Sequence, residues 1–386
     1  MKKKWLYLVI LALFAASSCR DDDEIIEPEI TNPSVPEYIS IEGFYLLNEG
    51  NMGSNKSTLD YYEYETGTYY RNIFASANPT VVKEMGDVGN DLKIYGDKLY
   101  AVINCSNKID VLDKWTAKKV GQIDIPNCRY IRFHEGYAYV SSYAGPVKID
   151  PDYEQRGYIA KIDTATLKIV GTCLVGFQPD DLEVVGNKIY VANSGGYAFP
   201  NYENTISVID IETFTEIKRI EVGINLHRLR ADNHGKLWAT SRGDRYFVPS
   251  RLYCIDTKSD QVLDTLNIAV SNFHLDGDSL YIYSDEWSNV SMQNEISYGI
   301  IDVVKKERIT QNFITDGTEK KIRAPYGITV NPITKDIYVT DAKSYVSSGT
   351  LYCFDKEGKL KWSAITGDVP AHFAFLGKVA PENTPL

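Results

Sequence analysis

Seven short loops each place two mostly polar or ionisable residues directly before an alternating strand. Such side chains can move protons, hold metals or bind polar ligands. Because no two loops repeat the same pair, the set favours one large, asymmetric, polar ligand. We call these fourteen positions the mouth; aligned on the strands that follow, they are Asn90, Asp91, Arg129, Tyr130, Asp180, Asp181, His227, Arg228, Ser271, Asn272, Tyr326, Gly327, Ala371 and His372.

Histidine chemistry is the sharpest catalytic hypothesis for these positions. His227 and His372 could act as acid, base or metal ligand, whereas His274 lies inside an inner strand, where packing in the core or the channel is the commoner role. A histidine pair with Asp181 would suit a lyase or a metal-dependent hydrolase, a hypothesis by analogy of fold alone. The sequence has no Gly-rich phosphate loop, nucleophile elbow or HExxH motif. We therefore predict no enzymatic activity, no cofactor and no metal site.

The loops belong to a sevenfold repeat. One motif is an aromatic strand such as residues 188–191, and the other is an alternating strand that ends in an acid, such as residues 206–210. Seven copies at this period predict an all-β fold, a seven-bladed β-propeller of four-stranded blades. The acids most simply cap the next turn; they are spaced 46 to 53 residues apart and are Glu63, Asp113, Asp163, Asp210, Asp256, Asp302 and Asp355.

The two ends of the repeat predict how the ring closes. The first copy, near Phe44, lacks an inner strand, and residues 372–376 look like an inner strand without a blade. The C-terminal strand should therefore complete the N-terminal blade, which removes open sheet edges. Seven blades use residues 39–386 as one domain, so no second domain is needed.

Long loops between the second and third strands should share one face of the propeller with the mouth. They are rich in Tyr, Trp, Asn and Gly, which combine apolar contact with adaptable hydrogen bonding. Loops on a rigid scaffold commonly carry binding, although some of these aromatic residues should pack against one another. The candidate ligand-binding residues on these loops are Tyr143, Tyr197, Phe199, Tyr202, Arg242, Tyr246, Trp287 and Tyr345.

The N-terminus has the pattern of a secretory leader. Three lysines precede an apolar run over residues 5–16, shorter than the roughly 20 residues that span a membrane. Residues 1–18 are therefore predicted as a signal peptide. Cys19 stands where a bacterial lipoprotein is acylated, although Ala16 replaces the usual Leu. A lipid on Cys19 would anchor the protein to a membrane through an acidic, flexible tether over residues 19–38.

Charge and cysteine count exclude several partners and sites. The formal net charge is −11, which argues against nucleic acid as a partner. Five cysteines remain beside Cys19, an odd number that excludes a full disulfide framework. Cys105 and Cys128 fall at adjacent blade ends on one face, so a disulfide between them is plausible in an oxidising compartment.

The repeat, as in residues 187–193 and 205–210, resembles the YVTN/YncE-type propellers. With the leader, the acidic tether and residues 44–51 (FYLLNEGN), the chain resembles the surface-exposed cobalamin-binding lipoproteins of Bacteroides, the BtuG type. This resemblance implies capture of cobalamin (vitamin B12) or related corrinoids and delivery to a TonB-dependent transporter of the BtuB type. It also implies a lipid-anchored place on the outer membrane, facing the cell exterior.

Two alternatives stay open. The propeller could recognise another ligand, such as a glycan or a partner protein, or it could be a propeller lyase or lactonase. The resemblance concerns the overall pattern and matches no individual ligand contact. The mouth and loop residues named above are therefore predicted from their positions alone.

Overall fold

A computed structural model describes residues 30–31, 41–81, 84–244, 246–288 and 291–377. These residues form seven antiparallel sheets, which confirms the all-β, seven-bladed propeller. Blades 2 to 4 each contain four consecutive strands, named from the inner strand outward. They are β5 (Gly89–Tyr95), β6 (Lys98–Ile103), β7 (Lys108–Asp113) and β8 (Lys119–Asp124); β9 (Cys128–His134), β10 (Tyr137–Ser142), β11 (Arg156–Asp163) and β12 (Lys168–Phe177); and β13 (Pro179–Val185), β14 (Lys188–Asn193), β15 (Thr205–Asp210) and β16 (Thr215–Glu221).

Blades 5 to 7 repeat this arrangement. A short helix, α1 (Ile73–Ala77), and a 3₁₀ turn, Thr318–Lys321, lie in connections between blades. The strands are β17 (Leu226–Ala231), β18 (Lys236–Ser241), β19 (Arg251–Asp256) and β20 (Gln261–Leu266); β21 (Asn272–Asp276), β22 (Ser279–Ser288), β23 (Gln293–Asp302) and β24 (Glu307–Thr310); and β25 (Pro325–Val330), β26 (Ile337–Asp341), β27 (Ser348–Phe354) and β28 (Leu360–Asp368).

Blade 1 closes the ring with strands from both ends of the repeat. Its order is β1 (Ile30–Thr31), β4 (Thr68–Tyr70), β3 (Thr58–Glu63), β2 (Ile41–Asn48) and β29 (Pro370–Gly377). The C-terminal β29 pairs antiparallel with β2, with Leu46 opposite Phe373, which confirms the predicted closure. The inner strands then contact one another around the ring, and β29 touches both β25 and β5.

Aromatic residues fill the interface between blades 1 and 7, where the ring closes. Phe44, Tyr62, Tyr64, Tyr338 and Trp362 are all buried there. The rings of Phe44 and Tyr338 meet edge-on with centroids 4.9 Å apart, and the hydroxyls of Tyr64 and Tyr338 are 2.8 Å apart. Aromatic pairs stabilise a fold by burying apolar surface and by their preferred ring geometry, so this interface helps to hold blades 1 and 7 together.

The acids that end the third strands cap the following turns, as predicted. Asp113 accepts the backbone N–H groups of Trp115 and Thr116, and Asp163 accepts those of Ala165 and Thr166. The same contact recurs at Asp210, Asp256, Asp302 and Asp355, while Glu63 accepts the Thr66 hydroxyl. Their carboxylates are therefore occupied by the turns, opposite the mouth.

Two predictions about the N-terminus fall mostly on residues that the structure does not describe. The signal peptide and Cys19 lie outside the described residues. Within the predicted tether only Ile30–Thr31 is described, and it pairs with β4 at the outer edge of blade 1. Among the described residues, no helix has the length and apolar character needed to cross a membrane.

The predicted disulfide is absent from this structure, where Cys105 and Cys128 are free thiols. Cys128 is buried, with its sulfur 3.4 Å from the Lys108 carbonyl oxygen, whereas the exposed Cys105 faces the Asn104 side chain at 3.4 Å. The prediction was wrong because adjacent blade ends bring two cysteines near each other without directing their thiols together. Cys173, Cys254 and Cys353 are buried in strands.

Candidate functional site

The inner strands line a central channel, and a break in register near the start of most of them shapes its mouth. Register shifts occur between Gly89 and Asp91 in β5 and between Pro179 and Leu182 in β13. A bulge adds a residue without a direct partner, so neighbouring side chains can both turn inward. In β13 this places both Asp180 and Asp181 in buried polar networks.

The first network is a ring of charges inside the channel. Arg132 donates to Asp91 at 3.1 Å and to Asp181 at 2.7 Å, and so joins blades 2, 3 and 4. Lys93 pairs with Asp91 at 2.8 Å, and Arg230 of blade 5 pairs with Asp181 at 2.8 Å. Burial opposes ionisation of Asp91, but Lys93 and Arg132 hold its pKa below the usual range. Both aspartates therefore remain charged and bind the inner strands together.

The second network surrounds Asp180 at the mouth. This fully buried carboxylate accepts hydrogen bonds from Arg129 at 3.0 Å, Arg242 at 2.8 Å and the Tyr143 hydroxyl at 3.2 Å. His227 Nδ1 lies 3.0 Å from the same carboxylate. Burial, with the charges of Arg242 and Arg228, lowers the pKa of His227 to about 3, so its imidazole is neutral.

Glu49 organises the opposite side of the mouth. Its carboxylate lies 2.9 Å from His372 Nε2 and accepts the Tyr326 hydroxyl at 2.8 Å. Burial lowers the pKa of His372 even though Glu49 opposes the shift, so this imidazole is also neutral. Tyr326 in turn meets the ring of Tyr345 edge-on, with centroids 5.9 Å apart. This side combines a neutral histidine, an acid and aromatic faces.

Arg228 stands apart from both networks. Its guanidinium lies 5.0 Å from the centre of the Tyr130 ring, and its Nε is buried without an acceptor. Among the described residues, no carboxylate lies within ion-pair distance of this side chain. The channel cavity has a volume of about 360 Å³ and is lined by residues that include Asp91, Lys93, Arg132, Arg228, Arg230, Asn272, His274, Thr329 and His372.

Some of the predicted site residues line the cavity, and others form contacts around it. Asp91, Arg228, Asn272 and His372 line the cavity. The predicted pairing of a histidine with Asp181 is not formed; His227 meets Asp180 instead, because Arg132 and Arg230 occupy Asp181. The other predicted mouth residues enter polar or aromatic contacts around the channel: Asn90, Arg129, Tyr130, Asp181, His227 and Tyr326.

The aromatic residues of the long loops pack in pairs and still expose large faces. Tyr143 meets Tyr197, and Phe199 meets both Tyr202 and Tyr246, with centroids 5.9 to 6.3 Å apart. Tyr246 nevertheless has 64% of its surface exposed. Trp287, on the projecting hairpin of β22 and β23, is 52% exposed, and Tyr345 is 42% exposed. The aromatic residues of these loops therefore pack against one another and also expose surface to solvent.

Three cations of the channel were missed by the sequence analysis. Lys93, Arg132 and Arg230 each follow an aligned mouth position by two residues. Because strand side chains alternate between faces, a residue two positions on points the same way. That period was the available signal; it also applies to His274, which follows Asn272 by two residues and lines the channel, one of the two places predicted for it. Among the described residues, no group of three or more His, Cys, Asp or Glu side chains is arranged to hold a metal ion.

The fold and its channel define the class: a seven-bladed propeller whose inner strands enclose a charged, solvent-accessible channel. The chain belongs to the DUF5074 family, a domain of unknown function, whose model matches residues 42–375. No curated protein matches the sequence. The family match and the fold support a β-propeller family, a coarser statement than the cobalamin-binding type that the sequence resembles.

Solved structures share the fold at low sequence identity. The periplasmic gluconolactonase of Pseudomonas aeruginosa has a TM-score of 0.59 at 12% identity, with 86% of this chain and 99% of that chain covered. A Bacteroides fragilis protein assigned as a 6-phosphogluconolactonase gives 0.58 at 12% identity, covering 88% and 100%. A quinoprotein alcohol dehydrogenase-like protein from Bacteroides thetaiotaomicron gives 0.56 at 14% identity, covering 88% and 79%.

These neighbours correct one expectation. The sequence analysis excluded enzymatic activity because it found no catalytic motif, but two of the neighbours carry lactonase names on this fold. Propeller active sites are built from side chains of different blades, so short linear motifs do not reveal them. The prediction that the protein is not an enzyme is therefore contradicted, although a likeness at this identity shows the fold alone.

Proposed function

We propose that the protein binds a large polar ligand over the mouth and that this ligand is a corrinoid. The observation that carries the proposal is the pairing of a charged mouth with outward aromatic faces on the surrounding loops. Tyr246, Trp287 and Tyr345 expose 42 to 64% of their surfaces around the mouth. Exposed aromatic residues rimmed by polar groups are typical of binding surfaces.

Corrinoid chemistry fits this arrangement. A corrinoid is a flat macrocycle with many amide arms and is larger than the channel cavity of about 360 Å³. It would lie across the top face, with aromatic side chains against its apolar faces and the partly exposed Arg242 and Arg129 within reach of its amide oxygens. The neutral state of His227 and His372 avoids adding further positive charge to the mouth.

The cellular setting forms part of the same proposal. Acylation of Cys19 would hold the propeller on the outer membrane at the cell surface, and the tether would let the top face reach a partner. A TonB-dependent transporter of the BtuB type would then receive the ligand. The sequence resemblance supports these steps.

Calorimetric titration of the purified protein with cyanocobalamin tests the proposal. We expect saturable heat and a change in the visible absorbance of the ligand. Trp287→Ala and Tyr345→Ala should each weaken binding by about tenfold, because an aromatic contact at a binding surface commonly contributes more than 1 kcal/mol. Trp115→Ala is the matched control, since Trp115 is 46% exposed on the opposite rim. Absence of heat and of any spectral change at micromolar ligand would contradict corrinoid binding.

A second candidate function rests on the Glu49–His372 pair. Glu49 orients the buried, neutral imidazole of His372. The Nδ1 atom of this imidazole has no hydrogen-bond partner among the described residues. Both His372 and Arg228 line the cavity. In lactone hydrolysis, water would attack the carbonyl while His372 accepts its proton and Arg228 stabilises the oxyanion. The ring C–O bond would then break as the proton passes to the leaving oxygen.

An assay of glucono-1,5-lactone hydrolysis separates the two candidate functions. The acid that hydrolysis releases is measured with a pH indicator in a weak buffer. The lactonase hypothesis expects acceleration over the spontaneous rate that His372→Gln abolishes and that the exposed His234→Gln preserves. A rate equal to the spontaneous one excludes this lactone as a substrate and leaves ligand capture as the function to test.

A further inference from the structure

Arg228 is the one channel cation without a carboxylate partner in the described part of the chain. Arg129, Arg132, Arg230 and Arg242 each contact an aspartate at 3.1 Å or less. The guanidinium of Arg228 lies over the face of Tyr130, and its Nε has no acceptor. Its side chain also lines the open cavity, so it is accessible to a molecule that enters the mouth.

Neighbouring acids are already fully engaged. Asp180 accepts Arg129, Arg242 and Tyr143, and Asp181 accepts Arg132 and Arg230. The nearby imidazoles supply no negative charge: burial and the arginines keep His227 neutral, and burial keeps His372 neutral. The charges of Asp180 and Asp181 favour the charged form of Arg228 from a distance, but no carboxylate of the described residues forms a direct ion pair with it.

A count of the charged side chains around the channel also leaves one cation without an anion. Its cations outnumber its anions by one, although the whole chain carries a formal charge of −11. An anion that enters the cavity would therefore find a cation that no carboxylate of the described residues pairs with directly. The cations are Lys93, Arg129, Arg132, Arg228, Arg230 and Arg242, and the anions are Glu49, Asp91, Asp180, Asp181 and Glu183.

We infer that Arg228 binds an oxyanion, a phosphate or carboxylate group, on the ligand that occupies the mouth. The planar guanidinium can donate two parallel hydrogen bonds to such a group while the Tyr130 ring supports its other face. His274 also lines the cavity and hydrogen-bonds with Thr329 at 3.3 Å, so polar side chains extend below the anion. This inference rests on the proposed function in placing the ligand at the mouth, and it names the group that anchors it.

For a corrinoid, the oxyanion would be the phosphodiester of the nucleotide loop. Cyanocobalamin contains that group and dicyanocobinamide lacks the whole nucleotide loop, so the two ligands share a macrocycle and differ in the loop that carries the anion, the ribose and the base. The intact protein should bind cyanocobalamin more tightly. Arg228→Gln should weaken binding of cyanocobalamin by about 10- to 100-fold, the range for loss of a hydrogen bond to a charged group, and leave dicyanocobinamide unchanged.

Two variants control this experiment. Arg219→Gln removes an outer-strand arginine, on β16, and should change neither affinity. Arg228→Lys keeps the charge without the planar fork and should give an intermediate affinity for cyanocobalamin. Equal loss of affinity for both corrinoids with Arg228→Gln, or no loss for either, would overturn the inference while leaving corrinoid capture intact.

The unliganded protein provides a test that does not depend on the corrinoid. Inorganic phosphate should raise the melting temperature of the parent protein but not that of Arg228→Met, because phosphate would pair directly with the Arg228 guanidinium. Equal stabilisation of both proteins by phosphate, or no stabilisation of the parent protein, would refute the anion site. If no corrinoid binds, the phosphate result alone decides the inference.

Discussion

Arg132 and Asp181 form an ion pair at 2.7 Å across two blades, within a channel ring that also contains Asp91. Both side chains are nearly inaccessible to solvent, so their charges depend on each other for stabilisation. Removing one member of a buried pair leaves the other charge uncompensated, which commonly costs 3 to 5 kcal/mol. The pair therefore makes the inner strands sensitive to a single charge change.

Asp181→Asn should lower the free energy of unfolding by about 3 kcal/mol, because Arg132 and Arg230 would lose their shared carboxylate. Denaturation with guanidinium chloride, followed by circular dichroism, measures the change. Lys148→Ala is the control, since Lys148 pairs with Asp150 at 3.0 Å on the exposed surface and should give no measurable change. Equal stability of the Asp181→Asn variant and the parent would show that the ring contributes little.

Acid should destabilise the protein through its buried histidines. Burial lowers the pKa of His227 to about 3, below its value near 6.5 in the unfolded chain, so between these values the unfolded state binds the extra proton. Stability should therefore fall as the pH drops below 6.5, and His227 should account for about 2 kcal/mol of the loss by pH 5. His227→Gln should remove this part of the acid-induced loss of stability. The measurement is the difference in unfolding free energy between pH 7 and pH 5, in the variant and in the parent protein.

The exposed His234 provides a control of opposite sign. Its hydrogen bond with Asp278 raises its pKa, so its contribution is present at low pH and is lost as the pH rises through that pKa. His234→Gln should therefore make the loss of stability on acidification slightly steeper. A pH slope that His227→Gln leaves unchanged would show that His227 has the same pKa in the folded and the unfolded protein.

The fold was accessible from sequence because it depends on a repeated local pattern. The alternation in strands such as β15 and the recurring acid at its end mark each blade, and an unmatched inner strand at residues 372–376 marked the closure. Mouth positions such as Arg228 and His372 could be aligned for the same reason, since each is the third residue of its inner strand; the structure thus places them inside these strands and not in loops before them.

The contacts within the site were not accessible in this way. Asp180 and Arg242 are 62 residues apart, and their hydrogen bond depends on how a loop of blade 5 folds back over the mouth. No periodic signal encodes that loop conformation. The predicted disulfide between Cys105 and Cys128 was wrong for a related reason, because the direction of a thiol depends on local backbone geometry that the spacing of blades does not fix.

Ring closure by β29 should be necessary for cooperative folding. A chain that ends at Val369 would lose the strand that pairs with β2 and touches β25 and β5, leaving Phe44 and Leu46 without their partners. We expect this truncation to unfold at a much lower temperature or to aggregate through the open edge. A chain that ends at Gly377 keeps β29 and is the matched control; similar calorimetric transitions for both truncations would contradict this role.

Cysteine reactivity tests the free thiols directly, in a protein that carries Cys19→Ala. Cys105 is exposed, whereas Cys128, Cys173, Cys254 and Cys353 are buried, and burial raises the pKa of Cys128 to about 12. A thiol reacts through its thiolate, so Ellman's reagent should titrate one fast thiol in the native protein, and all five after denaturation without reductant. Cys105→Ser should remove the fast phase and leave four thiols after denaturation. Only three thiols in the denatured parent would instead reveal a disulfide, because oxidation of one pair removes two from the count.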